Sequence, residues 1–468
     1  MNLLDISIAL PLLLLAIGAL VTLLTGAITG KQGAGYLIAI LVAIGAGLWA
    51  MRPPPVLLAP NLGLSASGLS RFFTVYFCFM AAAVLIVSYK YNQSRDLYGE
   101  EYPATVLFAT FGMVALAAAT DMLLLFLGLE AMTFGFYILT AIDREREVAA
   151  EAGLKYLLLG ALSAAFLAFG IGLLYCVGGT LAIDDLMRST LAATSQRPLA
   201  LAGWAFVLLG IGFKLSLVPA HLWAPDVYEA APPPVVAFLS AGSKVAAILL
   251  LLFLLQGAGD AVILRVPLFA LAVGSMVVGN LAALRQNRVR RMLAYSSIAQ
   301  MGYVVVALLS QQGNGLQAAA FYAIGYGVMN LAAFGAITIL ETSGCGAEID
   351  AYRGRGFSQP IPSAVLAVSL LALAGIPPTV GFTGKFLIFA SALRAGETSL
   401  AVIGILTAAV SIYYYLRLVA ALYLHQAAEQ PARSAITAQL VPVLAAVLTV
   451  LLGVFPERLL LFLQAQFF

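Results

Sequence analysis

The stretch "GFKLSLVPAHLW", residues 212–223, places a lysine inside an apolar segment and follows it with a proline and a histidine. Each of these residues is costly where a hydrophobic helix crosses a lipid bilayer. A charged side chain at the bilayer centre costs roughly 2.5–3.5 kcal/mol on insertion scales. Proline removes a backbone donor and ends or kinks a helix. The stretch therefore predicts a broken membrane helix in which Lys214 has a function that outweighs these costs.

The composition predicts a helical protein that crosses a membrane many times. Of the 468 residues, 62% are hydrophobic and only 10% are charged, whereas soluble domains contain roughly 25% charged residues. Runs such as "LLDISIALPLLLLAIGALVTLL" are about as long as the roughly 20 helical residues that span a bilayer. The alternating pattern of a membrane β-barrel is absent. We therefore expect an all-α polytopic membrane protein.

Several classes of site are not indicated. The three cysteines, Cys78, Cys176 and Cys345, are far apart, and the sequence has no CxxC motif or Cys/His cluster for zinc, haem or iron–sulfur binding. The phosphate-binding pattern G-x-x-x-x-G-K-[ST] does not occur. A net charge of +3 gives no indication of a nucleic-acid partner. We expect this chain itself to bind no metal, nucleotide or redox cofactor.

Fourteen apolar segments have the length of membrane spans. Their expected bounds are 3–24, 34–51, 70–90, 103–119, 121–142, 150–176, 200–219, 234–255, 262–284, 291–310, 315–341, 361–395 (broken), 399–424 and 436–455. The final residues, "PERLLLFLQAQFF", are expected to form an interfacial helix or to extend the last span.

Helix breakers occur in the middle of the seventh and twelfth spans, in "VPAHLWAPD" and "LAGIPPTVGFTGKF". Spans 4–8 and 9–13 would then form two five-helix units that have opposite orientations in the membrane. Inverted repeats with paired broken helices are common in transporters. The alternative is that the prolines only kink two packed helices. The expected regions are residues 1–102, 103–255 (first repeat), 262–424 (second repeat) and 436–468.

Basic residues in the loops predict the orientation of the chain. Seven lie on the side of the N-terminus and twelve on the other side. The seven are Arg52, Arg71, Arg188, Arg197, Arg265, Arg394 and Arg458, and the twelve are Lys31, Lys90, Arg95, Arg144, Arg146, Arg285, Arg288, Arg290, Arg291, Arg353, Arg355 and Arg433. The richer side should be cytoplasmic, which places both termini on the opposite side. The run "RVRR" is interpreted as a topological anchor.

Buried charges are the candidate functional residues. Four of the six lysines, Lys155, Lys214, Lys244 and Lys385, lie inside predicted spans. Glu130 lies nine residues into its span, roughly 13–14 Å deep and close to the midplane of a ~30 Å core. A lysine in an apolar environment can release its proton at neutral pH, and a neighbouring carboxylate favours the protonated form. Such a lysine can act as a switchable proton carrier.

Glu130 and Lys214 form the natural ion pair, and with Lys244 and Lys385 they are predicted to form a proton path. A static ion pair would explain one glutamate and one lysine, but it would not explain Lys244 and Lys385. Lys155 follows Glu151 by one helical turn, so a helix-stabilising pair and a path role are both open.

Other polar residues carry weaker predictions. His221 could relay protons to Lys244 or be a hydrogen-bonded structural residue. Asp121 is expected to cap the helix that it precedes. The three tyrosines at 413–415 are interpreted as packing residues, although one of them could supply a path hydroxyl.

The segments "KLSLVPAHLWAPDVYEAAPPPVVAFLSAGSKVA", "RMLAYSSIAQMGY" and "LAGIPPTVGFTGKF" resemble the antiporter-like membrane subunits of respiratory complex I, the proton-translocating NADH:quinone oxidoreductase. Within that group the resemblance is to the N subunits, and it extends from about residue 103 to 425. It implies a fourteen-helix architecture with inverted five-helix repeats. The functional residues that it implies are Glu130, Lys214, Lys244 and Lys385, with Lys155 in addition.

The sequence departs from the family pattern at three places. It has "PAH" at 219–221 where the family usually has "PFH", and "YEAAP" at 228–232 where "YEGAP" is usual. Gln300 stands where a histidine is frequent, so an amide would have to orient water if this position relays protons.

The resemblance implies a proton-translocating subunit of a bacterial inner-membrane complex, driven by redox chemistry in other subunits. NADH, FMN, iron–sulfur clusters and quinone are then expected on partner subunits. Neighbouring antiporter-like subunits and the lipid bilayer are the expected contacts. The alternatives are a subunit of an Mrp-type cation/proton antiporter or of a membrane-bound hydrogenase, and a purely structural subunit. Four expensive buried charges argue against the structural alternative.

Overall fold

The structure is a computed structural model that describes residues 3–29, 33–54, 56–97, 99–256, 262–425 and 436–467. Lys31 and Arg433, which contribute to the predicted charge asymmetry of the loops, lie outside these residues. The helices before the first break are α1 Leu3–Thr29, α2 Ala34–Ala50, α3 Gly68–Ser94, α4 Glu101–Ala118, α5 Met122–Thr140, α6 Glu147–Gly178, α7 Ile183–Ala192 and α8 Arg197–Leu215. A short antiparallel pair, β1 Leu58–Ala59 and β2 Leu64–Ser65, lies between α2 and α3.

The remaining chain is also helical. Its helices are α9 Trp223–Ala230, α10 Pro233–Phe238, α11 Lys244–Gln256, α12 Val262–Leu284, α13 Val289–Leu309, α14 Gly315–Thr342, α15 Arg355–Ser358, α16 Pro360–Ala374, α17 Val380–Arg394, α18 Thr398–Tyr423, α19 Ile436–Val454 and α20 Glu457–Phe467. A π-helical turn, Leu239–Ser243, joins α10 to α11. Short 3₁₀ turns occur at Pro60–Leu62, Gln311–Gly313 and Ile349–Tyr352.

The described residues form an all-α, multi-pass membrane protein. Eleven of their helices are long and apolar enough to cross a bilayer, or up to twelve if α19 and α20 together count as one span. Two further apolar helices, α2 and α16, are shorter. The bend between α19 and α20 is 74°, so the C-terminal residues do not continue the last span in a straight line.

The chain divides into two compact units. Unit 1 contains residues 1–211 and 242–263, and unit 2 contains residues 212–241 and 264–468. In unit 1, α5 packs so closely on α4 that a Cβ atom added at Gly112 would lie 2.2 Å from the backbone nitrogen of Met132. Small residues permit such close helix approach in membranes. This contact fixes the part of α5 that contains Glu130.

The start of α5 is fixed by a side-chain cap, as the sequence predicts. The Oδ1 atom of Asp121 accepts a hydrogen bond from the backbone N–H of Leu124 at 2.8 Å. Aspartate at this position satisfies one of the backbone donors that every helix start leaves free. The N-cap prediction for Asp121 is therefore confirmed.

In unit 2, α14 is the central helix. It contacts α10, α13, α16, α17 and α19, and nearly all its residues from Gly315 to Leu340 are buried. The helices that carry Gln300 (α13) and Lys385 (α17) are both held against it. These contacts position the two helices within unit 2.

Candidate functional site

The helix that contains Lys214 is broken directly after this residue. Helix α8 ends at Leu215, and α9 begins at Trp223. The indole N–H of Trp223 donates to the carbonyl oxygen of Phe213 at 2.9 Å, and the backbone N–H of Val218 donates to Ser275 Oγ at 2.9 Å. Backbone groups freed by a break inside a membrane survive only when the protein or water satisfies them. Side chains of unit 2 do this here.

Lys214 lies just before this break, and His221 lies within it. The side chain of Lys214 is 3% exposed, and its Nζ lies 6.0 Å from the ring centroid of Phe213. The Nδ1 atom of His221 lies 3.2 Å from the carbonyl oxygen of Pro219. The histidine thus contacts its own segment, and its relay role stays a prediction.

Three of the lysine and glutamate residues predicted to be functional belong to unit 1, namely Glu130, Lys244 and Lys155. Glu130 lies at the middle of α5, as expected from its depth in the predicted span. Lys244 is fully buried and is the first residue of α11, directly after the π-helical turn. Such turns are rare and occur frequently at functional sites. Since Lys214 belongs to unit 2, its pairing with Glu130 stays a prediction.

Lys155 forms the ion pair with Glu151 that their spacing predicts. The Nζ and Oε1 atoms are 2.7 Å apart, and the side chains are 48% and 64% exposed. Exposed pairs of this kind are weak. The helix pair is therefore present, and a path role for Lys155 stays a prediction.

The second broken helix positions Lys385. Helix α16 ends at Ala374, Gly375 follows with φ +88°, and α17 begins at Val380. The left-handed conformation at Gly375 is one that glycine adopts without steric cost. The break leaves carbonyl groups of the last turn of α16 without helical partners.

Lys385 donates to these carbonyl groups. Its Nζ lies 2.7 Å from the oxygen of Leu373 and 3.2 Å from the oxygen of Ala374, and the side chain is 5% exposed. The C-terminus of a helix has a partial negative charge, which favours a cation. The ring of Tyr303, whose centroid is 5.3 Å away, provides a further favourable contact. The site is therefore suited to a lysine that is buried and protonated.

Gln300 links Lys385 to a set of buried hydroxyl groups. Its Nε2 donates to the carbonyl oxygen of Leu373 at 3.0 Å and to Tyr415 Oη at 3.1 Å. Tyr322 donates to Gln300 Oε1, and Tyr415 also hydrogen-bonds Ser296. Either hydroxyl group can be the donor between Tyr415 and Ser296. The amide of Gln300 thus accepts from one tyrosine and donates to another.

A second branch of the network begins at the tyrosine beside Lys385. Asn280 Nδ2 donates to Tyr303 Oη at 3.0 Å, and Tyr414 donates to Asn280 Oδ1 at 3.0 Å. Tyr414 and Tyr415 are fully buried, whereas Tyr413 is 64% exposed. Tyr414 and Tyr415, which the sequence predicted to be packing residues, thus also form hydrogen bonds. Their hydroxyl groups belong to the environment of Lys385.

The sequence reasoning missed four members of this network, namely Asn280, Ser296, Tyr303 and Tyr322. A signal was present in the spacing of Ser296, Gln300 and Tyr303, which follow one another at four and three residues. This spacing places polar side chains on one face of a helix. In an apolar helix it indicates a polar seam.

Among the described residues, no group of three or more His, Cys, Asp or Glu side chains could hold a metal ion. The chemistry that this arrangement supports is the uptake and release of protons at buried lysines. Hydroxyl and amide groups orient the hydrogen bonds around them.

Comparison with known proteins gives a consistent result. Residues 119–411 match the family described as NADH:quinone oxidoreductase/Mrp antiporter, transmembrane. The chain is 53% identical to the NADH-quinone oxidoreductase subunit N of Geotalea uraniireducens (strain Rf4), over 98% of each chain.

Solved structures have the same fold. A chain of respiratory complex I from Thermus thermophilus with bound aureothin is 32% identical, with a TM-score of 0.81 over 96% of this chain and 98% of that one. A chain of the Mrp complex from Dietzia sp. DQ12-45-1b is 20% identical, with a TM-score of 0.84 over 100% and 97%. The latter likeness concerns the fold alone.

Proposed function

Because the chain belongs to the NADH:quinone oxidoreductase/Mrp antiporter family, we propose that it is the N subunit of an NADH:quinone oxidoreductase and translocates protons. The observation that carries this assignment is the 53% identity to a subunit N over 98% of both chains. The buried lysines and the polar network around Lys385 are compatible with it. The subunit sits with the other membrane subunits of complex I and is part of an oxidoreductase complex.

In the proposed mechanism, the proton moves between buried lysines. Lys385 holds a proton because the carbonyl groups of Leu373 and Ala374 stabilise its charge. A proton held at Lys244 passes outward by way of Lys385, and repulsion between like charges favours release. Glu130 and Lys214 form the switchable pair that controls uptake.

We further propose that the chain has fourteen spans with two inverted five-helix repeats, which the two broken helices support. We place it in a bacterial inner membrane. The loop charges support an orientation with both termini on the non-cytoplasmic side. The subunit itself has a translocase role without redox chemistry. NADH, FMN, iron–sulfur clusters and quinone are bound by partner subunits, whose redox reaction supplies the energy.

An Mrp-type antiporter or a membrane-bound hydrogenase is the alternative assignment. The fold is shared with a chain of an Mrp complex at 20% identity. Identity to a subunit N is 53%, and this difference favours the proposed function.

Purification from mild detergent tests the assignment. The chain should copurify with subunits that contain flavin and iron–sulfur clusters and that oxidise NADH. Isolation of the chain without such subunits, in a form that exchanges Na⁺ for H⁺ in liposomes, would contradict it.

A further inference from the structure

The short helix α9, which follows the break after Lys214, is tied to α13 by ion pairs. Asp226 and Glu229 are three residues apart and lie on one face of α9. The Nη1 atom of Arg291 on α13 lies 2.8 Å from Asp226 Oδ1 and 2.9 Å from Glu229 Oε2. Arg288 pairs with the other carboxylate oxygen of Glu229. We refer to Asp226, Glu229 and Arg291 as the clamp.

The clamp is partly shielded. The side chains of Arg291, Asp226 and Glu229 are 32%, 30% and 13% exposed. Ion pairs with this degree of burial are less screened than pairs at the surface. One guanidinium that contacts two carboxylates also defines the position of α9 more narrowly than a single pair would.

Helix α9 needs such contacts because it has only eight residues. A helix of this length is unstable on its own, and irregular backbone precedes it at 216–222. Two uncharged contacts complement the clamp. Tyr228 hydrogen-bonds Ser297 at 3.3 Å, and Trp223 donates to the carbonyl oxygen of Phe213, directly before Lys214.

Arg290, which directly precedes Arg291, contacts the chain that follows α9. Arg290 Nη1 donates to the carbonyl oxygen of Ala231 at 2.5 Å, and Arg290 Nε lies 3.2 Å from Glu341 Oε1 on α14. Arg290 is 5% exposed. The interpretation of "RVRR" as a topological anchor therefore missed the contacts that these arginines make inside unit 2.

Helix α13 connects the clamp to the environment of Lys385. Gln300 lies nine residues after Arg291, which is about 14 Å along a helix. Gln300 donates to the carbonyl oxygen that also accepts from Lys385. One helix thus contacts the segment after Lys214 at one end and the Lys385 network further along.

We propose that Arg291, through Asp226 and Glu229, is a positioning residue that couples the broken helix after Lys214 to α13. A movement of this segment is then transmitted to Gln300 and the carbonyl group that holds Lys385. The proposal rests on the proposed function, since it assigns a role within proton translocation. It requires no direct contact of Arg291 with the moving proton.

The test uses the intact complex reconstituted in liposomes, with assembled amount, NADH oxidation and protons pumped per electron pair as readouts. Arg291→Gln should assemble and oxidise NADH but pump at least twofold fewer protons per electron pair. Arg291→Lys should recover part of this loss. The matched control is Arg353→Gln, which removes an exposed ion pair to Asp350 (2.8 Å) in the same unit and should pump like the parent.

A mutant cycle separates positioning from simple destabilisation. The triple variant Arg291→Gln, Asp226→Asn, Glu229→Gln should pump no worse than Arg291→Gln alone, because the link through Arg291 is already lost and the further pair that it removes involves Arg288, whose side chain is 54% exposed. Arg291→Gln should also add nothing to Lys214→Ala. If Arg291→Gln does not assemble, the triple variant decides, since it leaves no carboxylate without its arginine. An assembled triple variant with a lowered pumping ratio supports the clamp.

Three results are distinguishable as failures. Parental pumping by Arg291→Gln or by the triple variant, together with loss of pumping in Lys214→Ala, overturns the clamp and leaves the proposed function intact. Parental pumping by Lys214→Ala contradicts the Glu130–Lys214 switch of the proposed mechanism. Failure of the triple variant to assemble overturns the clamp, because the arginine and carboxylates then act in folding rather than in coupling.

Discussion

Lys385 Nζ lies 2.7 Å from the carbonyl oxygen of Leu373, the penultimate residue of the half-helix that ends at the second break. The chain break and the buried charge are thus parts of one feature, because the break frees the carbonyl group that stabilises the charge. Gln300 shares this oxygen. The proton affinity of Lys385 therefore depends on the backbone of α16 and on the amide of α13.

Replacement of Gln300 by leucine should impair proton translocation. The change removes the donor to Leu373 and Tyr415 and the acceptor for Tyr322, and an unsatisfied buried polar group costs about 1–3 kcal/mol. We expect an assembled complex with several-fold lower pumping per electron pair. Gln317→Leu is the control, since Gln317 donates to the carbonyl oxygen of Leu460 at 2.7 Å. Equal pumping by both variants would show that Gln300 has no specific role in proton translocation.

Lys155→Ala should leave pumping within about twofold of the parent. The pair with Glu151 is exposed and is worth roughly 0.3–0.5 kcal/mol in a helix. Proton pumping and assembled amount are measured in Lys155→Ala and Glu151→Ala. Loss of pumping in Lys155→Ala alone would show that this lysine belongs to the path.

Cysteine labelling tests the orientation of the chain. Cys176 is exposed and should first be replaced by serine. In intact cells or spheroplasts, Glu145→Cys and Arg285→Cys should be shielded from an impermeant maleimide, because their loops are expected in the cytoplasm. Gln196→Cys, in a loop on the other side, should react. Labelling of Glu145→Cys and Arg285→Cys together with protection of Gln196→Cys would show that the chain has the opposite orientation.

The sequence was sufficient for the fold class and for the positions of both breaks, because lipid requires long apolar helices and proline interrupts them. It also located Lys385, since a charge in an apolar span is conspicuous. It did not predict the partners of Lys385. Leu373 acts through its backbone, and Tyr303, Tyr322 and Tyr415 meet only through tertiary packing. Likewise, Arg291 and Asp226 are 65 residues apart, so their pairing has no local signal.

Loss of either member of the predicted Glu130–Lys214 pair should uncouple the subunit. Lys214 is 3% exposed, and removal of one partner from a buried pair costs about 3–5 kcal/mol or neutralises the survivor. We expect Lys214→Ala and Glu130→Ala to assemble with reduced coupled turnover. The measurement is proton pumping in membranes normalised to assembled complex. Normal pumping in either variant would reject the pair as a switch.

In the proposed mechanism, Lys385 exchanges a proton rather than providing a fixed charge. Arginine keeps the charge but does not deprotonate in proteins. The most direct measurement is proton pumping per electron pair in reconstituted complex with Lys385→Arg, beside Lys385→Ala and the parent. We predict that Lys385→Arg assembles and is nearly as defective as Lys385→Ala. Pumping by Lys385→Arg at the parental ratio would show that Lys385 is a fixed charge and that protons leave by another route.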